Sequence, residues 1–213
     1  MKVFVEAGAK KVFAGAIDWP GWARAGKSEE EAIAALLAYT DRYRAIAGDS
    51  LPAALEPVKV AFRLDGDSGT DFGVPSVVAD FDRLPLDQDE LRDQIRLLRA
   101  ARAGFDESAS RAEGKALATG PRGGGRSLAK MRDHVLEADR AYISSLGARA
   151  PGGSATWPEV QDAFVEALHA KVRGELPDVG PRGGERWPAR YAIRRSAWHA
   201  LDHAWEIEDR AGG

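Results

Sequence analysis

The stretch HALDHAWEIEDR, residues 199–210, places two histidines four positions apart in a segment with helical periodicity. Residues four apart lie on one face of an α-helix, about 6 Å from each other, so the imidazoles of His199 and His203 should project side by side. The same face carries small or apolar residues such as Ala192 and Ile207. We therefore predict that this histidine pair points into the interior of a helical domain.

A third histidine lies on another predicted helix, in MRDHVLEAD at residues 131–139. His134 falls on the apolar stripe of that helix, whereas the fourth histidine, His169, should lie off the stripe of its own. Buried imidazoles are costly unless a partner satisfies their nitrogens. A divalent metal ion can satisfy all three, and three nitrogen ligands with one open position are typical of catalytic zinc. We predict that His134, His199 and His203 are metal ligands.

The three histidines could instead be structural, each bonded to the backbone or to a carboxylate. Glu137 and Glu206 each follow a histidine by three residues. A di-iron carboxylate centre needs Glu-x-x-His twice together with further glutamates, and because the order is reversed here we do not expect one. Glu206 could orient an imidazole, or it could be a polar residue at the edge of the histidine face.

Four long helical segments follow a loop that ends near residue 85, and each carries apolar residues at helical spacing. They begin near Asp87, Ser127, Thr156 and Trp187. A four-helix bundle is the default packing for amphipathic helices of this kind.

The two helices that carry the histidines should run antiparallel. His134 lies seven residues after Ser127 at the start of its helix, and His203 lies seven residues before Arg210. Antiparallel packing puts both histidines at one level, roughly 10 Å from the same end, whereas parallel packing separates them by about 7–14 Å. It also requires a crossover between the second and third helices, which residues 147–155 can span when nearly extended.

The N-terminal part of the chain has the pattern of a small β-β-α-β unit. Residues 2–6 and 11–17 predict a hairpin, a helix should begin behind Ser28, and residues 58–64 should form the last strand. Loop-like residues 65–85 then lead to the helices.

We therefore predict an α+β chain of two domains. Residues 1–78 would form the β-β-α-β domain, and residues 79–213 would form a four-helix bundle with a crossover between its second and third helices. Tyr191, Trp198 and Trp205 form a stripe away from the histidine face, and we expect this stripe to pack against the N-terminal domain rather than against a second subunit.

The composition of the chain limits its function. The 213 residues carry 30 basic and 33 acidic side chains, and this balance argues against binding of nucleic acid or of a membrane surface. No run approaches the about 18 apolar residues of a membrane span, and the N-terminus does not match a signal peptide, so we expect a cytoplasmic protein. There is no cysteine, so any thiol nucleophile must come from outside.

The segments around the three histidines resemble the DinB/YfiT-like superfamily of helix bundles, whose members carry one histidine on the second helix and an H-x-x-x-H pair on the fourth. The resemblance covers about residues 85–210. It implies the crossover bundle and a zinc- or nickel-type centre. The best-understood relatives are thiol-dependent S-transferases and isomerases, so the resemblance also implies an exogenous low-molecular-weight thiol and a small-molecule substrate.

A glycine-rich loop, GPRGGGR at residues 120–126, precedes the second bundle helix and would border the mouth of the metal site. Arg122 and Arg126 could bind the carboxylates of a thiol cofactor or of an acidic substrate, or they could be solvated residues of a connector. The loop lacks the lysine and hydroxyl residue of a phosphate-binding P-loop. A similar loop at residues 180–186 should lie at the opposite end and be structural.

The N-terminal unit resembles HicB-like domains, through Asp18-Trp19-Pro20-Gly21-Trp22 and the later Gly26, Ser28 and Glu30-Glu31-Ala32. Antitoxins of that family join this fold to a DNA-binding element. The helices leave no room for such an element here, so we do not expect toxin neutralisation.

The sequence therefore favours a metal-dependent enzyme whose three-histidine centre binds an exogenous thiol. A metal-bound thiol is deprotonated and supplies the nucleophile that the chain itself lacks. The alternative is a non-catalytic stress-response or partner-binding protein with structural histidines. Either protein could form a homodimer.

Overall fold

The computed structural model describes residues 1–119 and 125–212, and its N-terminal unit is built on a mixed sheet. Four strands form this sheet in the order β3-β2-β1-β4: β1 (Lys2–Ala7), β2 (Val12–Ala16), β3 (Ala23–Gly26) and β4 (Lys59–Asp65). Strand β1 pairs antiparallel with β2 and parallel with β4. The predicted hairpin and last strand are therefore present.

Seven α-helices lie in the described part of the chain, and the last four are the long ones that the sequence predicts. They are α1 (Glu29–Ala38), α2 (Thr40–Ala47), α3 (Ser68–Phe72), α4 (Gln88–Arg111), α5 (Leu128–Leu146), α6 (Trp157–Val172) and α7 (Ala189–Ala211). The predicted α+β class is confirmed. None of the described helices combines the length and the apolar character that a bilayer span requires.

Short-range signals set the ends of the long helices. Asp87 accepts a hydrogen bond from the Glu90 amide at 2.8 Å, and the Glu90 carboxylate accepts one from the Asp87 amide at 3.2 Å. This capping box satisfies two donors that the first turn of α4 leaves free. Gly147 ends α5 with φ of 101°, a left-handed conformation that favours glycine.

The prediction of a single β-β-α-β unit is wrong in three details. Strand β3 is an additional strand; its sequence ARAG has no β-branched residue, and it is held by pairing with β2. The single predicted helix is divided at Tyr39, where the Thr40 hydroxyl donates to the Leu37 carbonyl at 2.6 Å. The predicted loop at 65–85 contains α3, which is capped by Asp67.

Contacts between helix ends define the direction of α5 against α7. The Trp187 amide, just before α7, donates to the Ser145 carbonyl near the end of α5 at 2.9 Å. At the other end Arg210 donates to the carbonyl of Arg126, just before α5, at 3.1 Å. The two helices therefore run antiparallel, as a shared level for their histidines requires.

A buried ion pair joins the four long helices. Arg102 of α4 and Asp139 of α5 lie 2.6 Å apart, with side chains only 1% and 2% exposed. Ser196 of α7 donates to Asp139 at 2.7 Å and accepts from Arg102 at 3.1 Å. The guanidinium lies over the ring of Phe164 of α6, 4.5 Å from its centroid. Each long helix thus contributes one side chain to this cluster.

The sheet unit packs against the aromatic stripe of α7, as the sequence predicts. Phe13 of β2 meets Trp198 edge-on, and Tyr39 meets Trp205 in the same way, with centroids 6.0 and 4.9 Å apart. The Tyr191 hydroxyl donates to a backbone carbonyl in the segment after α3 at 2.7 Å. Buried apolar residues from both parts belong to one continuous cluster, and a domain boundary near residue 78 stays a prediction.

The turn after β2 reaches the surface of α7 through a glycine. Gly21 has φ of 91°, and a Cβ atom there would lie 2.9 Å from the Ala197 side chain and 3.1 Å from that of Leu201. Real Cβ atoms essentially never come closer than 3.0 Å to another atom, so the contact with Ala197 and the positive φ both require glycine.

We predict that Asp139→Asn lowers the free energy of unfolding by about 3–5 kcal/mol, because it leaves a charged guanidinium buried without a counter-ion. Urea unfolding measures the change. Glu107→Gln, which removes an exposed pair with Arg111 on α4, should cost less than about 1 kcal/mol. A loss of less than about 1 kcal/mol for Asp139→Asn as well would show that the ion pair does not maintain the packing.

We also predict that Gly21→Ala destabilises the protein more than Gly174→Ala does. Both glycines have positive φ, but a Cβ at Gly174 meets nothing within 4 Å. The Gly174 variant should therefore lose only about 1–2 kcal/mol of stability, because alanine is strained at positive φ. The Gly21 variant has the same strain and must also move the turn away from α7. Equal losses in thermal unfolding would contradict the close packing.

Candidate metal centre

The three predicted histidines converge between α5 and α7. His134 projects from α5 and is half-buried, whereas His199 and His203 project from α7 and are buried. One ligand nitrogen from each ring lies within 4.8 Å of the others. The ring centroids are 4.8 to 5.2 Å apart. The predicted proximity of the three rings is confirmed, and their binding of an ion stays a prediction.

The closest approach in the group has the spacing of two ligands of one ion. Nε2 of His199 lies 3.1 Å from Nε2 of His134. Two nitrogens bound to one tetrahedral zinc at about 2.0–2.1 Å are roughly 3.3 Å apart. Without an ion, the same contact is an N–H···N hydrogen bond in which one ring donates. The pair can therefore accept a metal ion with little change in position.

Glu206 orients the third imidazole. Its Oε2 lies 2.9 Å from Nδ1 of His203, and its Oε1 accepts from Arg210 at 3.0 Å. The bond with His203, and to a lesser extent that with Arg210, holds the pKa of Glu206 below its ordinary value although burial opposes this. An ionised carboxylate on Nδ1 holds the proton there, so the lone pair of Nε2 is available to a metal.

The other glutamate singled out from the sequence has no such role. Glu137 pairs with Arg140 at 2.8 Å, and its side chain is 65% exposed. The sequence pattern cannot separate Glu137 from Glu206, because both follow a histidine by three residues. Only the packing of α7 against α5 decides which carboxylate faces the histidines.

The surroundings of His134 and His199 favour the neutral form of these two imidazoles. Burial lowers the pKa of His199 far below its ordinary value, and the charges of His203 and Arg195 lower it further. Burial is also the main cause of the lowered pKa of His134, followed by the charge of Arg126. Nδ1 of His199 is buried with no hydrogen-bond partner among the described residues. A neutral imidazole is the form that binds a metal.

A cavity of about 1280 Å³ adjoins the histidines and gives a ligand access to them. The N-terminal unit contributes Arg24 and residues 72–74 to its wall, and Tyr142, Trp198 and Trp205 contribute aromatic surface. Sites for small molecules usually occupy about 300–1,000 Å³. The cavity can therefore hold a substrate beside the three imidazoles.

The predicted anion-binding arginines can be placed only in part. Arg126 is exposed and lines the cavity near His134, whereas Arg122 lies outside the described residues. The cavity wall also includes Arg195, which the sequence analysis does not identify. Its position four residues before His199 is a signal that could have found it.

The remaining sequence features lie away from the site. His169 on α6 is half-buried and does not belong to the histidine group. In the second glycine-rich loop Arg186 donates to the Ser144 carbonyl at 2.9 Å. Ser144 lies near the end of α5 that is remote from His134, so this loop is at the opposite end, as predicted.

Comparison with known proteins identifies no relative for this chain. No family model matches the sequence, and neither a curated protein nor a solved structure matches it. The function must therefore be inferred from the geometry of the site.

We predict that Glu206→Gln weakens zinc binding by roughly 10–100-fold, because the amide no longer holds His203 with a full negative charge. Competition with a chromophoric chelator measures the affinity. Glu137→Gln is the matched control, since it changes a glutamate at the same spacing from a histidine without touching the site. Equal affinities for the two variants would exclude a role for Glu206.

Proposed function

We propose that the chain is a metal-dependent enzyme in which His134, His199 and His203 bind a zinc- or nickel-type ion. The open position of the ion would take an exogenous low-molecular-weight thiol, which acts on a small-molecule substrate. The observation that carries the proposal is the 3.1 Å approach of two imidazole Nε2 atoms at the wall of a large cavity. Purely structural histidines have no need of such access.

The connections between the long helices support a DinB/YfiT-like arrangement. Trp157 at the start of α6 donates to Asp106 of α4 at 2.9 Å. Lys171 near the end of α6 pairs with Asp178, whose carbonyl accepts from the Arg186 amide just before α7. Helices α5 and α6 thus both end near the start of α7, which is the geometry of a bundle with a crossover between its second and third helices.

The chemistry assigned to the site follows from its donors. A bound ion of this type would supply a thiolate or a hydroxide at neutral pH. The three imidazoles bind through neutral nitrogens, and Glu206 holds the Nδ1 proton of His203. Arg126 at the cavity edge would bind a carboxylate of the thiol. Because the chain has no cysteine, the soft nucleophile comes from outside.

The competing function is a non-catalytic stress-response or partner-binding protein with structural histidines. One observation favours it: the contacts His134–His199 and His203–Glu206 already pair three ring nitrogens and a carboxylate without any ion. The buried, unpaired Nδ1 of His199 favours neither function, since it is not the nitrogen that faces the group.

Metal analysis tests the proposal directly. Protein purified without an affinity tag should contain one ion per chain by elemental analysis, and zinc at 100 times its Kd should stabilise the fold by about 2.7 kcal/mol. Chelation should remove that stabilisation. Absence of bound metal together with an unchanged melting temperature in chelator would refute the proposal.

Substitution of the histidines separates the two functions. His199→Ala should abolish stoichiometric zinc binding and leave the circular dichroism spectrum unchanged, whereas His169→Ala should leave zinc binding intact. The structural function would be supported instead if the His199 variant unfolds and if zinc does not change the stability of the wild type.

A further inference from the structure

Arg195 lies one helical turn before His199, and two aromatic rings hold its guanidinium. Its Cζ is 4.7 Å from the ring centroid of Trp198 and 5.4 Å from that of Tyr142. The same two rings lie 6.3 and 6.2 Å from the imidazole of His199. The guanidinium is therefore a close neighbour of the histidine group, on the wall of the same cavity.

This guanidinium has no counter-ion within the described chain. Nη1 of Arg195 is buried and has no hydrogen-bond partner among the described residues. An unpaired buried donor is costly, and a charged donor more so. Aromatic faces attract the charge but leave the N–H groups unsatisfied. Arg195 is only half-buried and lines the cavity wall, so an acceptor from outside the described chain can reach its guanidinium.

Two other cations of the cavity wall do not share this property. Arg24 pairs with Asp202 at 3.0 Å, and Arg210 pairs with Glu206 at 3.0 Å. Their charges are therefore already compensated. Arg195 differs from both because no carboxylate of the described residues pairs with it.

We propose that Arg195 binds a carboxylate of the ligand that occupies the cavity. The planar guanidinium offers two parallel N–H groups, which match the two oxygens of a carboxylate. Contact with the rings of Trp198 and Tyr142 holds the guanidinium in place before the ligand arrives, so less freedom is lost on binding. Binding of a carboxylate by Arg195 does not depend on the proposed function, but its part in a reaction does. In that reaction, a substrate held by its carboxylate would place a neighbouring carbon beside the histidine centre.

Benzoate and its neutral isostere benzamide test the proposal without any metal. The full chain, freed of metal by chelation, is titrated with each probe, and the fluorescence of its six tryptophans, of which Trp198 and Trp205 line the cavity, reports binding. We expect benzoate to bind at least tenfold more tightly than benzamide. Arg195→Met should abolish this preference, and Arg195→Lys, which keeps the charge but not the paired N–H groups, should reduce it.

Lys130→Met is the matched control, because it removes one exposed positive charge from the same cavity wall. It should keep the preference for benzoate. Equal binding of both probes by the wild type, or an unchanged preference in Arg195→Met, would overturn the proposal. Circular dichroism identifies a variant that fails to fold, and in that case the Arg195→Lys variant decides.

Zinc content, measured on the same proteins, separates this proposal from the proposed function. Wild type and Arg195→Met should bind zinc equally, since Arg195 is not a ligand. Failure of both to bind zinc would refute the metal-dependent enzyme, while the benzoate preference would still decide the role of Arg195.

A second titration identifies which molecule carries the carboxylate. The cobalt-loaded protein is titrated with mercaptoacetate and with 2-mercaptoethanol, and the thiolate-to-cobalt absorption band reports binding. A preference for mercaptoacetate that disappears in Arg195→Met assigns the carboxylate to the thiol. A benzoate preference that depends on Arg195, without any preference between the thiols, assigns it to a separate substrate.

Discussion

The buried pair of Arg102 and Asp139 is the interaction on which the arrangement of the long helices depends. Its members come from α4 and α5, and Ser196 of α7 bonds to both. Ser196 lies one turn before His199, and Asp139 lies little more than one turn after His134. The pair therefore fixes the register of α5 against α7. A shift of one turn, about 5.4 Å, would separate the histidines beyond the reach of a shared ion.

A buried ion pair is a poor source of net stability but a strong constraint on geometry. Its desolvation offsets most of the attraction between the charges, whereas any packing that separates them leaves a charge buried without a partner. An apolar contact would tolerate small shifts of α5 along α7. The charged cluster does not, and this precision is what a three-ligand site with a narrow range of bond lengths requires.

The N-terminal unit completes the cavity beside the histidines. Arg24 of β3 pairs with Asp202 of α7 and lies over the ring of Tyr39, 4.1 Å from its centroid. Residues 72–74 close another part of the wall. Because β3 and α3 are the elements that the sequence pattern misses, the cavity could not be foreseen from it. Their stability comes from pairing with β2 and from the Asp67 cap, rather than from apolar periodicity.

Periodicity and capping residues are local properties, so the sequence by itself determined the α+β class, the starts of the long helices and the inward direction of His134, His199 and His203. It also favoured antiparallel α5 and α7, because a metal ion shared by the histidines needs them at one level and only that direction provides it. Only the tertiary structure decided that Glu206 and not Glu137 orients a histidine, and that Arg195 lies free of a carboxylate beside them. The His203–Glu206 contact lies within α7, but the spacing along one helix does not show which face meets the neighbouring helix, as Arg195 meets Tyr142 of α5.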